Sequence, residues 1–102
     1  MTKINSPKLQ PVHPGAILRE EFMEGLGVTP YKVAKAIHVP LPRLNDIVLE
    51  KRGISPEMAL RLSVYFGTSE QYWINLQADY ERRIAKAKLA KDLLQIEPLV
   101  AA

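Results

Sequence analysis

The sequence contains no cysteine, and none of its apolar runs approaches the roughly 20 residues that a membrane-spanning helix needs. The absence of cysteine excludes disulfides, thiolate nucleophiles and zinc sites built from cysteine. The residues that follow Met1 also lack the apolar stretch of a secretory signal. We therefore expect a cytoplasmic protein that does not interact with a membrane.

Groups that support catalysis are also scarce. His13 and His38 are the only histidines, and neither stands beside a carboxylate cluster, so no metal site is predicted. Glu20, Glu21 and Glu24 can be read as paired carboxylates for acid–base chemistry, but such a run is more often the solvated face of a helix. Without a nucleophile–base spacing or a phosphate-binding glycine loop, we predict no catalytic residues, no cofactor and no enzymatic activity.

The composition that remains is typical of one globular domain. The 102 residues are 47% hydrophobic and 25% charged, which is enough for a single modest core. Residues 1–12 carry prolines without hydrophobic periodicity, which predicts a flexible N-terminal arm before a domain of residues 13–102. The net charge of +3 permits a polyanionic partner but does not require one.

Start and stop signals predict an all-α bundle of five helices with an extended C-terminal helix. A capping residue before a proline, a proline that can take the first helical position, or a capping-box spacing marks each start. These signals stand at His13-Pro14, Thr29-Pro30, Pro42, Ser55-Pro56 and Thr68–Gln71. The predicted buried stripes are Leu18, Phe22 and Leu26; Val33, Ala34 and Ile37; Leu44, Ile47 and Val48; Ala59, Leu62 and Phe66; and Trp73, Leu76 and Tyr80.

The second and third predicted helices have the spacing of a DNA-binding helix-turn-helix. Ala34 is the small residue that lets the two helices approach, and Val39 follows the turn. Leu44 and Ile47 anchor the second helix of the pair, which is the one that enters the major groove in such motifs. This spacing predicts a domain that binds duplex DNA.

A longer set of motifs resembles the Cro/repressor-like (XRE) family and, within it, the HigA-type antitoxins. The matching segments are His13-Pro14-Gly15, residues 40–48 (PLPRLNDIV), Lys51-Arg52-Gly53-Ile54, residues 59–62 (ALRL), residues 65–68 (YFGT) and residues 73–77 (WINLQ). They cover most of the chain. The resemblance implies a homodimer that represses its own operon at a palindromic operator and pairs with a HigB-like toxin that cleaves mRNA.

The sequence departs from the family pattern at two places. His38 stands in the turn where a glycine is usual, and histidine adopts positive φ more readily than most residues. Pro40-Leu41-Pro42 occupies the start of the recognition helix, where repressors often carry Ser or Gln to read bases. We therefore expect little base recognition from that first turn.

The DNA-binding residues that we predict lie on the two helices of the motif and just after them. Arg43 can bind guanine and Asn45 adenine, each through two hydrogen bonds, and Asp46 is expected to orient Arg43. The others are expected to contact phosphates or the apolar edge of the groove, although a basic side chain on a helix is often only solvated. The full set is Thr29, Lys32, Lys35, Pro42, Arg43, Asn45, Asp46, Lys51 and Arg52.

Apolar residues near the C-terminus exceed what so small a core can cover. Ile84, Ala87, Leu93, Leu94 and Ile96 follow the last core stripe, which predicts a partner subunit and hence a homodimer. The arm before His13 and the acidic face of the first helix are candidate surfaces for a basic toxin. Two alternatives stay open: a stand-alone XRE-family regulator without a toxin, and a protein-interaction module that has lost DNA binding.

Overall fold

The computed structural model describes residues 11–100, and the predicted arm of residues 1–12 lies almost entirely outside them. Within the described range the chain is all-helical. The elements are α1 (Pro14–Ile17), which continues directly into π-helical turns (Leu18–Glu24), α2 (Pro30–Ile37), α3 (Leu41–Val48), α4 (Pro56–Phe66), α5 (Glu70–Lys88) and α6 (Ala90–Leu94). The all-α prediction is confirmed, with the C-terminal helix broken at Leu89 into two pieces.

Three helices begin at the capping residues that the sequence predicts. The His13 imidazole accepts a hydrogen bond from the Gly15 amide at 2.8 Å, which identifies His13 as a helix-start residue. The hydroxyls of Thr29 and Ser55 accept bonds from amides three residues on, at 3.1 Å and 3.2 Å. Each bond satisfies one of the amides that a helix N-terminus leaves without a partner.

The predicted capping box at Thr68 is wrong by one residue. Ser69 caps α5, because its hydroxyl accepts the Tyr72 amide at 3.0 Å. The Thr68 hydroxyl instead accepts a hydrogen bond from the indole Nε1 of Trp73 at 2.7 Å. Trp73 is fully buried, so its N–H needs a partner inside the protein, and Thr68 supplies it.

The predicted buried stripe of the first helix is wrong at Leu26, its last residue. Leu18 is fully buried, but Leu26 is 64% exposed. The turns between them are π-helical, so the hydrogen bonds span five residues rather than four and the buried face moves by one position. Met23, five residues after Leu18, takes the buried place instead.

The core lies between α2, α3 and α4, with α1 and α5 packed around them. The predicted stripes of α2 and α3 are entirely buried, as are Ala59 and Leu62 on α4. Phe66 is half-buried at the edge, where Phe22 and Trp73 join it in an aromatic cluster with ring centroids 4.8–6.4 Å apart. This packing fixes α2 and α3 relative to each other.

The C-terminal part of the chain carries exposed apolar side chains, as predicted. Ile84, Leu93 and Ile96 are 42%, 45% and 66% exposed, and Leu94 is 86% exposed. The main contact of α6 is with α5. Along residues 11–100, no helix is both long and apolar enough to cross a membrane.

Candidate nucleic-acid interface

A three-residue turn joins α2 to α3. His38 has the left-handed conformation, with φ 62° and ψ 48°, as the sequence predicts for the position where glycine is usual. The Val39 amide donates to the Ala34 carbonyl at 3.0 Å, which closes the end of α2. Val39 is buried, so the turn is anchored on the core and α3 leaves it in one defined direction.

α3 begins at Leu41, one residue before the predicted start at Pro42. Pro40 precedes the helix and Pro42 is its second residue, so two of the first positions have no amide hydrogen. The Arg43 amide already donates to the Pro40 carbonyl at 3.1 Å. Few amides therefore remain in this first turn to bind an anion.

The side of α3 away from the core carries the predicted base-reading residues. Arg43, Asn45 and Asp46 are half-exposed, and Pro42 is exposed. The described residues contain no buried side-chain polar atom without a hydrogen-bond partner, so none of these polar groups is buried unsatisfied. These four residues therefore lie on one helix and can face one groove.

The predicted partner of Arg43 is wrong. Its Nη2 lies 3.4 Å from Oε1 of Glu57, in the first turn of α4, rather than against Asp46. Asp46 faces the other way, with its Oδ2 3.9 Å from Nη2 of Arg52. Arg43 and Asp46 are three residues apart on one helix and are therefore neighbours on its surface. The Glu57 carboxylate of α4 is nevertheless close enough to bind Arg43 instead.

Lys51 and Arg52 lie in the turn that ends α3, and the helix holds them there. Both amides donate to the Asp46 carbonyl, at 2.7 Å and 3.2 Å, while Glu50 between helix and turn has the left-handed φ of 65°. Arg19 from the first helix donates to the Val48 carbonyl and lies 3.2 Å from the Glu50 carboxylate. The two cations at this end of α3 are exposed and held in a fixed turn.

The candidates on α2 are exposed and extend from its N-cap, Thr29, to its last turn, which carries Lys35. The Thr29 hydroxyl is engaged as a helix cap through its oxygen, and its own hydrogen stays available as a donor. Lys32 and Lys35 are exposed, and the Lys35 ammonium lies 5.9 Å from the ring centre of Tyr31. Since α2 packs on α3, the structure brings all nine predicted residues to one pair of helices and the turn that follows.

Two further side chains bind this region and were missed by the sequence prediction. Arg61 donates from Nη1 to the Ile37 carbonyl at the end of α2, at 2.8 Å, and its Nε lies 3.0 Å from Oε2 of Glu57. The two arginines, Arg61 foremost, lower the pKa of the Glu57 carboxyl below its usual value. The four-residue spacing of Glu57 and Arg61 on one helix is the signal that could have found this pair.

Among residues 11–100 no group of three or more potential ligands is placed to hold a metal ion. The acidic residues of the first helix do not converge either. Glu20 pairs with the neighbouring Arg19 at 3.1 Å, and Glu21 and Glu24 are exposed.

The family of the chain follows from comparison with known proteins. Residues 20–73 match the model of the helix-turn-helix family. The antitoxin HigA of Pseudomonas aeruginosa, solved with the higBA promoter, is 48% identical, has a TM-score of 0.85, and aligns over 89% of this chain and 100% of its own. This chain belongs to the XRE-type helix-turn-helix family, in its HigA group.

Other relatives of this HigA-group chain agree with that placement. The antitoxin GraA, solved in complex with its operator, is 37% identical with a TM-score of 0.83, over 98% of this chain and 100% of that one. Virulence-associated protein I of Dichelobacter nodosus is 47% identical over 74% of this chain and 69% of its own length. The family predicted from the sequence motifs is confirmed.

Proposed function

We propose that this chain is the DNA-binding antitoxin of a HigBA-like toxin–antitoxin system. It represses transcription of its own operon at an operator and neutralises an mRNA-cleaving toxin. The observation that carries the proposal is the solvent face of α3, where Arg43 and Asn45 stand on a helix of a fold that HigA, solved with promoter DNA, shares at 48% identity.

In this function α3 lies in the major groove. Arg43 donates two hydrogen bonds to guanine O6 and N7, and Asn45 pairs with adenine N6 and N7, each contact contributing about 1–3 kcal/mol of discrimination. Pro42, which is exposed in the first turn of α3, lies against the groove and adds little base recognition. Asp46 keeps Arg52 in place, since their charged atoms are 3.9 Å apart.

The remaining predicted residues contact the phosphate backbone. Lys51 and Arg52 are exposed at the end of α3, and Lys32 and Lys35 are exposed on α2. The Thr29 hydroxyl, whose oxygen caps α2, donates its hydrogen to a phosphate oxygen. Such contacts fix the position of the protein on the duplex without reading its sequence.

The functional unit in this proposal is a homodimer. The large apolar side chains between Ile84 and Ile96 are 41–86% exposed and gain most by covering one another in a second copy. A two-fold axis then pairs two α3 helices about one helical turn apart, roughly 34–36 Å. The operator is accordingly palindromic.

The toxin partner is a small basic protein that grips RNA. Glu20, Glu21 and Glu24 form an exposed acidic face on the first helix, which suits such a partner. The chain acts by binding and performs no catalysis of its own, and its DNA target places it in the cytoplasm. A stand-alone regulator of the same family is the alternative, and it predicts that no adjacent small basic protein binds this chain.

Fluorescence anisotropy tests the DNA-binding part. The protein is titrated with its own upstream region and with a scrambled duplex at two salt concentrations, using wild type, Arg43→Ala and, as a matched control, Arg82→Ala on α5. We expect preference for the upstream region, weakened about 5- to 150-fold by Arg43→Ala alone. The logarithm of the association constant should fall with log salt by about 0.9 per neutralised phosphate.

Equal affinity for the two duplexes, or a flat salt dependence, would refute operator binding and favour the interaction module. The toxin part has its own test. The product of an adjacent small basic reading frame is co-expressed with the tagged chain, and with a Glu20→Lys, Glu21→Lys, Glu24→Lys variant. Co-purification with wild type that the variant abolishes supports the proposal, whereas no co-purification supports the stand-alone regulator.

A further inference from the structure

Glu57 lies in the first turn of α4, outside the helix-turn-helix, and links α4 to α3 and α2. Its carboxylate lies between two arginines, 3.4 Å from Nη2 of Arg43 and 3.0 Å from Nε of Arg61. Arg61 in turn donates to the Ile37 carbonyl at 2.8 Å, which ties it to the end of α2. A continuous set of polar contacts thus runs from α2 through α4 to the Arg43 guanidinium.

The contact restrains Arg43 without occupying it. Arginine has five N–H donors in a planar fork, and a single bond of 3.4 Å to Glu57 engages one of them. The remaining donors can still form the pair of bonds that guanine O6 and N7 accept. An arginine that is held before it binds loses less rotamer freedom on binding than a fully mobile one.

The charge of Glu57 has a second consequence. A carboxylate at the edge of the surface repels the phosphates of any duplex, whatever its sequence. Glu57 therefore lowers the affinity for DNA in general while it holds the group that distinguishes one base. The repulsion lowers the affinity for matched and mismatched sites alike, whereas holding Arg43 raises the affinity for matched sites only.

We propose that Glu57 is the specificity-determining positioning residue of the operator interface, which holds Arg43 in the orientation that reads guanine. The inference rests on the proposed DNA-binding function. It assigns to the start of α4 a role in sequence recognition, with Arg61 as the anchor that keeps the Glu57 carboxylate between the helices.

The test measures affinity of the full chain for its upstream operator and for duplexes in which each base pair is changed in turn. Wild type and Arg43→Ala first locate the base pair that Arg43 reads. Glu57→Gln should then reduce discrimination at that pair by about 2- to 10-fold, while affinity for a random duplex stays equal or rises. Arg61→Met should reduce the same discrimination by removing the anchor.

Two controls separate positioning from charge and from folding. Glu70→Gln removes an exposed carboxylate from the first turn of α5 and should leave the base preference unchanged. In the Arg43→Ala background, Glu57→Gln should have no further effect on the base preference. Thermal unfolding of each variant confirms that it is folded, since an exposed ion pair contributes little to stability.

The possible results distinguish a failure of the proposed DNA-binding function from a failure of the proposed role of Glu57. If wild type shows no preference for the operator, the proposed function fails. If wild type and Arg43→Ala behave as proposed but Glu57→Gln discriminates as well as wild type, the positioning role is overturned. Loss at every base pair alike, or an equal loss in the Arg43→Ala background, also overturns it.

Discussion

Replacing Gly15 with alanine should displace the recognition helix. A Cβ at Gly15 would lie 1.8 Å from the carbonyl oxygen of Ile47 and 2.9 Å from its carbonyl carbon. Both atoms are backbone of α3, so no side-chain rotation relieves the clash. The two helices must separate by about 1.6 Å or more before the Cβ reaches an ordinary contact distance.

The free-energy cost follows from two opposing effects. Overpacking a well-packed region costs about 1–3 kcal/mol, and here a shift of backbone puts the cost at the upper end of that range. Alanine in place of glycine inside a helix returns about 0.5–1 kcal/mol. We expect Gly15→Ala to lower the free energy of unfolding by about 2–2.5 kcal/mol, measured by urea denaturation.

Gly25→Ala is the matched control on the same helix. Gly25 has helical φ, and its added Cβ would meet nothing closer than 3.7 Å, so this variant should be as stable as wild type or more so. Gly15→Ala should also lose operator affinity under conditions where it stays folded, because α3 has moved. If Gly15→Ala matches Gly25→Ala in both stability and operator affinity, the close approach of α1 and α3 does not position the site.

Three further outcomes follow from single positions. His38→Gly should raise the free energy of unfolding by about 0.5–1 kcal/mol, because φ there is 62° and glycine adopts it without strain; a lower urea midpoint would contradict this. Burial lowers the pKa of His13, with Glu50 as the next-largest effect opposing it and Arg19 adding a smaller lowering, so protonation favours the unfolded chain and stability should decline as pH falls below 6.5. His13→Asn keeps a capping group, and its free energy of unfolding should fall less between about pH 7.5 and pH 5.5 than that of wild type. An equal fall in both proteins would show that other groups cause the pH dependence. Thr68→Val should cost about 1–3 kcal/mol by leaving the Trp73 N–H without an acceptor, whereas Thr68→Ser should be nearly neutral, and equal losses in both would refute the role of the hydroxyl.

Local rules predicted the helix starts because the atoms that decide them are close in sequence. Thr29 and Ser55 each bond an amide three residues away, so composition and spacing suffice. The positive φ of His38 was predicted in the same way, from the type of residue that a three-residue turn requires. The family motifs extended this local information to the order and pairing of the helices.

The wrong predictions share a different cause. Leu26 was placed in the core by a four-residue period that the π-helical turns do not keep, and Thr68 was taken as a cap although Trp73 takes its hydroxyl. Arg43 was paired with Asp46 on its own helix, while the structure places it against Glu57 on α4. Each outcome depends on a competing tertiary contact or a backbone irregularity that spacing does not encode.

The different contacts of the arginines and the lysines also depend on tertiary structure. Every arginine of residues 11–100 has a carboxylate within 4 Å, and Arg19 and Arg61 also donate to the carbonyls that end α3 and α2. No ion pair between described residues involves a lysine.

The chemistry of the two side chains accounts for this pattern. The planar guanidinium can bind a carbonyl and a carboxylate together, whereas the ammonium of Lys32 or Lys51 is a flexible, solvated charge. Arginine charge is therefore partly committed to holding the helices, whereas the lysines of the described residues form no such ion pairs. The net charge of +3 does not show this difference, because it counts every arginine and every lysine alike.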